Sequence, residues 1–226
     1  MFEASPLEPL VGALPPLDTD GHLYVFGYGS LIWKPGFPHE ALHPALLRGF
    51  HRRFCLWSRQ YRGTPEAPGL VLGLDRGGAC RGVAFRVAGG QAVAVLDYLQ
   101  DREMPQNETV YQRRMLPVRL LDSGRMVRAV AFVVDRAHAG YCRPAAAAAA
   151  AIIARGIGRM GPNRDYLLNT VLHLRAMGVR DPGLDRIAAL LPVTVPGFVP
   201  APEAVPLDGA SPGAGGPSTA PESHRG

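Results

Sequence analysis

Two stretches of the chain carry residue types that chemistry needs. Val25-Phe-Gly-Tyr-Gly-Ser-Leu31 is an apolar run that stops on Gly27-Tyr28-Gly29-Ser30. A strand ending on such a turn leaves backbone N–H groups pointing outward with no side chain in the way, so it can hold an anion or an oxyanion. The same residues also fit an ordinary glycine-rich turn. Pyrophosphate binding of the GxGxxG kind needs a helix straight afterwards, and Trp33-Lys-Pro-Gly-Phe-Pro38 cannot supply one.

The second stretch is Asp101-Arg102-Glu103-Met104-Pro105, placed where an amphipathic helix ends. A glutamate held at such an edge beside apolar residues is partly desolvated, and its pKa rises toward the working pH, as a general base requires. The competing reading is a solvated carboxylate paired with Arg102 or another arginine. Between residues 22 and 195 the glutamates are Glu40, Glu66, Glu103 and Glu108, so the search for a base is short.

Other patterns say less. Gly49-Phe-His-Arg-Arg-Phe-Cys-Leu-Trp57 interleaves basic and aromatic residues, which suits a nucleic-acid platform, a carboxylate clamp or an alternating strand with one wet face. Seven histidines include no pair at i, i+4 on one helix, and Cys55, Cys80 and Cys142 form no CxxC pair. Neither a metal site nor a Ser-His-Asp triad has positive support. Asn163, Tyr166, Leu167, Val171 and Leu174 read as a helix cap and core.

The elements that must position these residues follow from periodicity. His22–Gly27, 45–57, 70–74, 81–87, 110–121 and 125–134 read as strands, the last two joined by a hairpin at Leu121-Asp-Ser-Gly-Arg125. A helix from about Gln91 into Asp101 puts Val93, Leu96 and Leu99 on one face and leads straight to Glu103. Pro144 opens an alanine-rich helix to Ala154, Asn163 caps one that Gly178 stops, and a short helix ends at Pro192. Strands precede most helices, so the expected fold class is α+β, with a barrel-like, largely antiparallel sheet and flanking helices.

Composition bounds the rest. Glycine and proline make up 49 of 226 residues, above the roughly 12% of average usage, and they gather at the ends. Residues 1–21 read as a flexible proline-rich segment and 196–226 as a disordered tail, leaving one folded domain at 22–195. A net charge of +5 permits an acidic partner. Lys34 is the sole lysine, however, and the arginine bias reads as genome composition, so no nucleic-acid partner is expected. No apolar run is long enough for a membrane span and the start lacks the basic residues of a signal peptide, so a soluble cytoplasmic protein is expected. The oligomeric state is left open.

Assembled in order, these residues resemble the ChaC family of glutathione-specific γ-glutamylcyclotransferases. The likeness rests on Val25-Phe-Gly-Tyr-Gly-Ser-Leu-Ile-Trp33, Gly49-Phe-His-Arg-Arg-Phe-Cys55 with Arg62-Gly-Thr-Pro65 and Pro68-Gly-Leu-Val-Leu-Gly-Leu74, Gly82-Val-Ala-Phe-Arg-Val87, Arg102-Glu-Met104, Asp135-Arg-Ala-His-Ala-Gly-Tyr141 and Gly161-Pro-Asn-Arg-Asp-Tyr-Leu167. It implies cleavage of glutathione into 5-oxoproline and Cys-Gly without metal or organic cofactor. It also implies a substrate cradle at Tyr28, Gly29, Ser30 and Leu31 and a catalytic base at Glu103. Tyr111 matches a family tyrosine, across a stretch longer than the family's that introduces Glu108 nearby. For the substrate carboxylates the expected partner is Arg53, with Arg52 as the alternative, and Tyr141 is expected to close over the substrate. A non-catalytic γ-glutamyl-binding regulator and a cyclotransferase for other γ-glutamyl compounds are the competing functions.

Overall fold

The computed structural model describes residues 15–103 and 110–192. The segment holding Glu108, the first fourteen residues and the tail from 193 lie outside the described residues. Among the described residues five strands close a barrel in the order β1-β3-β2-β4-β5. They are β1 (His22–Gly27), β2 (Ala41–Ser58), β3 (Gly69–Ala88), β4 (Tyr111–Leu120) and β5 (Met126–Val134). The helices are α1 (Ala92–Glu103), α2 (Ala146–Arg155), α3 (Asn163–Ala176) and α4 (Pro182–Ala189), and a two-residue ladder, β6 (Ile157–Gly158) with β7 (Gly161–Pro162), precedes α3. Neighbouring strands pair antiparallel, and parallel contacts of β5 with β1 and β3 close the ring. The expected α+β barrel is therefore the fold. No helix among the described residues is long and apolar enough to cross a membrane.

β1 is apolar throughout because both of its faces are covered. Tyr24, Phe26 and Tyr28 join the cluster inside the barrel, whereas Leu23 and Val25 belong to a second cluster under α1, as the two-residue side-chain period of a strand dictates. That second cluster is closed by Ala92, Val95, Leu96 and Leu99 of α1. The buried stripe therefore runs i, i+3, i+4, i+7 from Ala92. Val93, expected on it, lies on the far side and is 51% exposed.

The sequence suggested two strands at 70–74 and 81–87, but β3 is continuous. The polar Asp75-Arg-Gly-Gly-Ala79 between them reads as a turn, yet it pairs with Arg48 to His51 of β2 across a register shift at Gly49. Gly49 sits at φ +83, a left-handed conformation that suits glycine and makes a bulge bending the long hairpin. A side chain there would be strained.

One edge of β3 matters most for the site. Alternate residues of a strand aim their N–H and C=O groups at the same edge, and around Leu70 and Leu72 that edge is served by side chains. Asn163 accepts from the Leu70 N–H at 2.6 Å and donates to its carbonyl at 2.7 Å. The Tyr111 hydroxyl donates to the Leu72 carbonyl at 2.7 Å, and the Leu72 N–H donates to the Tyr166 hydroxyl oxygen. Asn163 was expected to cap α3. It is instead fully buried, with Pro162 at the cap position, because a carboxamide carries the donor and the acceptor that an open strand edge lacks. Asn163→Ala leaves both groups of Leu70 unpaired in the interior, and the expected cost is about 2–3 kcal/mol of folding stability, read from urea unfolding.

Candidate active site

The cradle begins where β1 ends. Ser30–Ile32 forms a single 3-10 turn, in which Ile32 N–H donates to the Gly29 carbonyl and Lys34 N–H to that of Ser30, both at 2.9 Å. The N–H groups of Gly29, Ser30 and Leu31 precede the first such bond and have no acceptor within the turn. Three anchors fix this loop. The Tyr28 hydroxyl donates to the Phe132 carbonyl at 3.0 Å, and Arg52 Nε donates to the Tyr28 carbonyl. Arg102 donates to Ser30 Oγ at 3.1 Å and to the carbonyls of Lys34 and Pro35 at 2.6 and 3.0 Å. Preorganised backbone donors of this kind are what an oxyanion or carboxylate requires.

Tyr28, Gly29, Ser30 and Leu31 line a cleft with Leu72, Glu103, Tyr111, Phe132 and Tyr166. Glu103 ends α1 and Tyr111 opens β4, so the two reach the cleft from either end of residues 104–109. Among the described residues lining it, Glu103 is the one carboxylate and there is no imidazole. Its side chain is 18% exposed, and burial pushes its pKa above the ordinary carboxyl value, opposed by Arg102, whose Nε stands 3.4 Å away. Burial likewise raises Tyr28, Tyr111 and Tyr166, and the charge of Glu103 adds to each. The hydroxyls of Tyr28 and Tyr111 spend their protons on carbonyls. Tyr166 accepts from the backbone and keeps its proton for the cleft.

The cleft therefore combines a desolvated carboxylate, a row of backbone donors and a phenol hydroxyl. A family model described as ChaC-like protein matches residues 23–192. The chain belongs to the ChaC-like family. Curated relatives include an Escherichia coli (strain K12) protein named glutathione-specific gamma-glutamylcyclotransferase, 35% identical over 167 residues, covering 74% of this chain and 71% of the relative. The human protein named glutathione-specific gamma-glutamylcyclotransferase 1 is 32% identical over 197 residues, covering 82% and 85%. A crystal structure of a yeast γ-glutamyl cyclotransferase specific to glutathione superposes with a TM-score of 0.66 at 22% identity, over 75% of this chain and 97% of that one, a likeness of fold.

In this ChaC-like chain not every residue singled out from the sequence reaches the cleft. Glu103, Tyr111 and the four cradle residues converge there. Arg53 does not: it lines a separate hollow against α2 and α4, where it donates to the Pro144 carbonyl at 3.4 Å. Tyr141 is also held elsewhere, its hydroxyl donating to the buried Asp75 at 2.9 Å, where Arg136 completes the cluster at 2.6 Å. Arg52, the alternative carboxylate partner, is spent inside the fold, with Nη1 on Asp181 at 2.9 Å and Nη2 on the Arg81 carbonyl at 2.6 Å.

The sequence reading assigned Tyr166 to the core, and packing explains why. Its ring meets Phe54 edge-on at 5.8 Å, Trp33 at 6.2 Å and the Arg62 guanidinium at 5.0 Å, so only the hydroxyl end meets the cleft. A signal was present, since Tyr166 sits in Gly161-Pro-Asn-Arg-Asp-Tyr-Leu167, one of the matched pieces.

A side chain at Gly29 would point toward Tyr166. A Cβ there lies 3.4 Å from the Tyr166 hydroxyl and 3.7 Å from Leu72, so Gly29→Ala is accommodated by the fold but puts a methyl between the cradle and the phenol. Its expected result is a melting temperature within a few degrees of the parent and an apparent substrate affinity about tenfold or more weaker, since even small misplacement of bound atoms is costly. Steady-state kinetics beside a thermal melt checks both.

Proposed function

We propose that this chain is a γ-glutamylcyclotransferase that cleaves glutathione into 5-oxoproline and Cys-Gly, with Glu103 as general base. The observation that carries the reading is that Glu103, desolvated, raised in pKa and the one carboxylate among the described residues lining the cleft, shares it with the N–H groups of Gly29, Ser30 and Leu31, which have no acceptor within their turn. The names of the curated relatives and the family match support the same substrate class.

The reaction is an intramolecular aminolysis, so nucleophile and electrophile arrive tethered and the protein need only hold the cyclising rotamer. The α-ammonium of the γ-glutamyl unit is largely protonated at neutral pH. Glu103 takes that proton, the free amine attacks the γ-carbonyl carbon and closes the five-membered ring, and the C–N bond to cysteine breaks. The ring nitrogen passes its surplus proton to the departing cysteinyl nitrogen, and the proton held by Glu103 completes the departing ammonium. A raised pKa makes Glu103 a better base than an exposed carboxylate. The N–H groups of the cradle hold the γ-glutamyl end and the oxyanion, and Tyr166 donates its remaining hydroxyl proton to the substrate. Tyr111 keeps its oxygen as an acceptor beside Glu103.

The same reading places the enzyme in the cytoplasm, in keeping with Cys55, Cys80 and Cys142, all free thiols, which a reducing compartment preserves. The test is incubation of the purified chain with glutathione, and in parallel with γ-glutamyl-alanine, with 5-oxoproline and Cys-Gly quantified. Release from glutathione alone is expected. Release from both widens the substrate to γ-glutamyl compounds in general, and a folded protein that releases nothing from either overturns the enzyme.

A further inference from the structure

A second cavity, of about 250 Å³, opens between β2 and the helices α2 and α4. Its apolar floor includes Ala149, Leu184 and Ile187, all buried. Its rim carries Arg53, Arg186 and His51, and no carboxylate is among the described residues lining it. Asp181, which precedes α4, is already engaged: it takes Arg52 at 2.9 Å and accepts from the N–H groups of Gly183 and Leu184 at 3.1 and 3.2 Å. Arg53 donates at 3.4 Å to the Pro144 carbonyl, and among the described residues neither Arg53 nor Arg186 forms an ion pair. Two guanidinium groups thus border an apolar hollow without a counter-charge among the described residues. Arg52, which holds the Tyr28 carbonyl, forms part of the same wall, so this hollow adjoins the cradle without sharing its lining.

Guanidinium groups select carboxylates, often two N–H donors at a time, while buried aliphatic walls select an alkyl chain. We infer that this cavity is a second ligand site, separate from the catalytic cleft, which takes a small amphipathic monocarboxylate. Its head sits between Arg53 and Arg186 and its tail lies on Ala149, Leu184 and Ile187. A bare anion gains nothing from the floor, and a neutral alcohol of the same length gains nothing from the rim.

Isothermal titration of the full chain with hexanoate, acetate and hexanol tests this. Hexanoate is expected to bind at least about tenfold more tightly than either of the others. The double variant Arg53→Gln, Arg186→Gln is expected to lose about tenfold or more in hexanoate affinity, because charge-assisted hydrogen bonds are the stronger kind. Ala146→Met, which keeps both charges and fills the cavity from its rim, is expected to lose as much, so the prediction survives if the double variant folds poorly. Gly29→Ala leaves hexanoate binding unchanged. Equal affinity for hexanol, full affinity in both rim variants, weakened binding in Gly29→Ala, or no binding of hexanoate at all each overturns the assignment.

Discussion

Glu103→Gln is expected to lower turnover by about 10²–10⁴-fold while substrate still binds, and at the same time to raise the melting temperature. The first effect follows from the proposed chemistry, since the amide keeps the shape and hydrogen-bonding reach of the carboxylate but cannot take a proton from the substrate ammonium. The second follows from burial. Desolvation lifts the Glu103 carboxyl in the folded chain above its unfolded value of about 4.3, against the weaker pull of Arg102. The folded chain then holds that proton more tightly than the unfolded chain, so stability declines as pH rises through the interval from the unfolded to the folded pKa. Above that interval the ionised Glu103 is a fixed cost to the fold that a neutral glutamine does not carry.

The measurements are steady-state production of 5-oxoproline and thermal melts at several pH values. The gain in melting temperature from Glu103→Gln is expected at neutral pH and is expected to shrink below about pH 4, where the parent is protonated too. The acid limb of the parent's rate profile is expected above the ordinary carboxyl value, for the same reason. Glu108→Gln serves as the comparison, since Glu108 lies near Glu103 in sequence but outside the described residues. Full activity in Glu103→Gln together with loss in Glu108→Gln would falsify the assignment of the base.

The cleft was legible in the sequence where its residues act through local chemistry. Gly29 and Ser30 belong to a turn whose glycines announce exposed N–H groups, and Glu103 is one of few glutamates, placed at a helix end by the periodicity of α1. What was not legible depends on contacts between distant parts of the chain. Leu72 lines the cleft because the edge of β3 is open there, and Tyr111 and Tyr166 approach it from 39 and 94 positions away in number. Arg52 and Arg53 are adjacent and chemically identical, so the expectation that put Arg53 first had no local pattern able to rank them. The fold does so, because successive strand residues face opposite ways and β2 carries register shifts on either side of the pair, between Arg48 and Phe50 and between Phe54 and Leu56. Tyr141 illustrates the same limit, its hydroxyl held by Asp75, 66 positions away. The glycine-rich middle of β3 misled in the opposite direction, since composition favours a turn while pairing with β2 holds the strand together.

Arg52→Met is expected to damage both the fold and the cradle, and the two effects can be separated. The guanidinium is nearly buried, at 2% exposed, and its three bonds tie the Tyr28 carbonyl, the Arg81 carbonyl and Asp181 into one cluster. Methionine fills the volume of the stem but leaves two carbonyl groups and one carboxylate without their donor. Breaking a buried charged cluster from one side costs about 3–5 kcal/mol, read from denaturant unfolding. Lysine retains the charge but not the planar fork that reaches three acceptors at once, so Arg52→Lys is expected to recover only part of that stability. Asp181→Asn removes the ion pair while an amide oxygen still caps the first turn of α4, and it leaves the bond to the Tyr28 carbonyl in place. It is therefore expected to lower stability without changing KM, whereas Arg52→Lys, measured at temperatures where it is fully folded, is expected to raise KM because the cradle has lost the anchor behind Tyr28. A KM that rises equally in Asp181→Asn and Arg52→Lys would reduce Arg52 to a stabilising residue. A rise confined to Arg52 variants makes it the group that holds the cradle's N–H donors in register with Glu103.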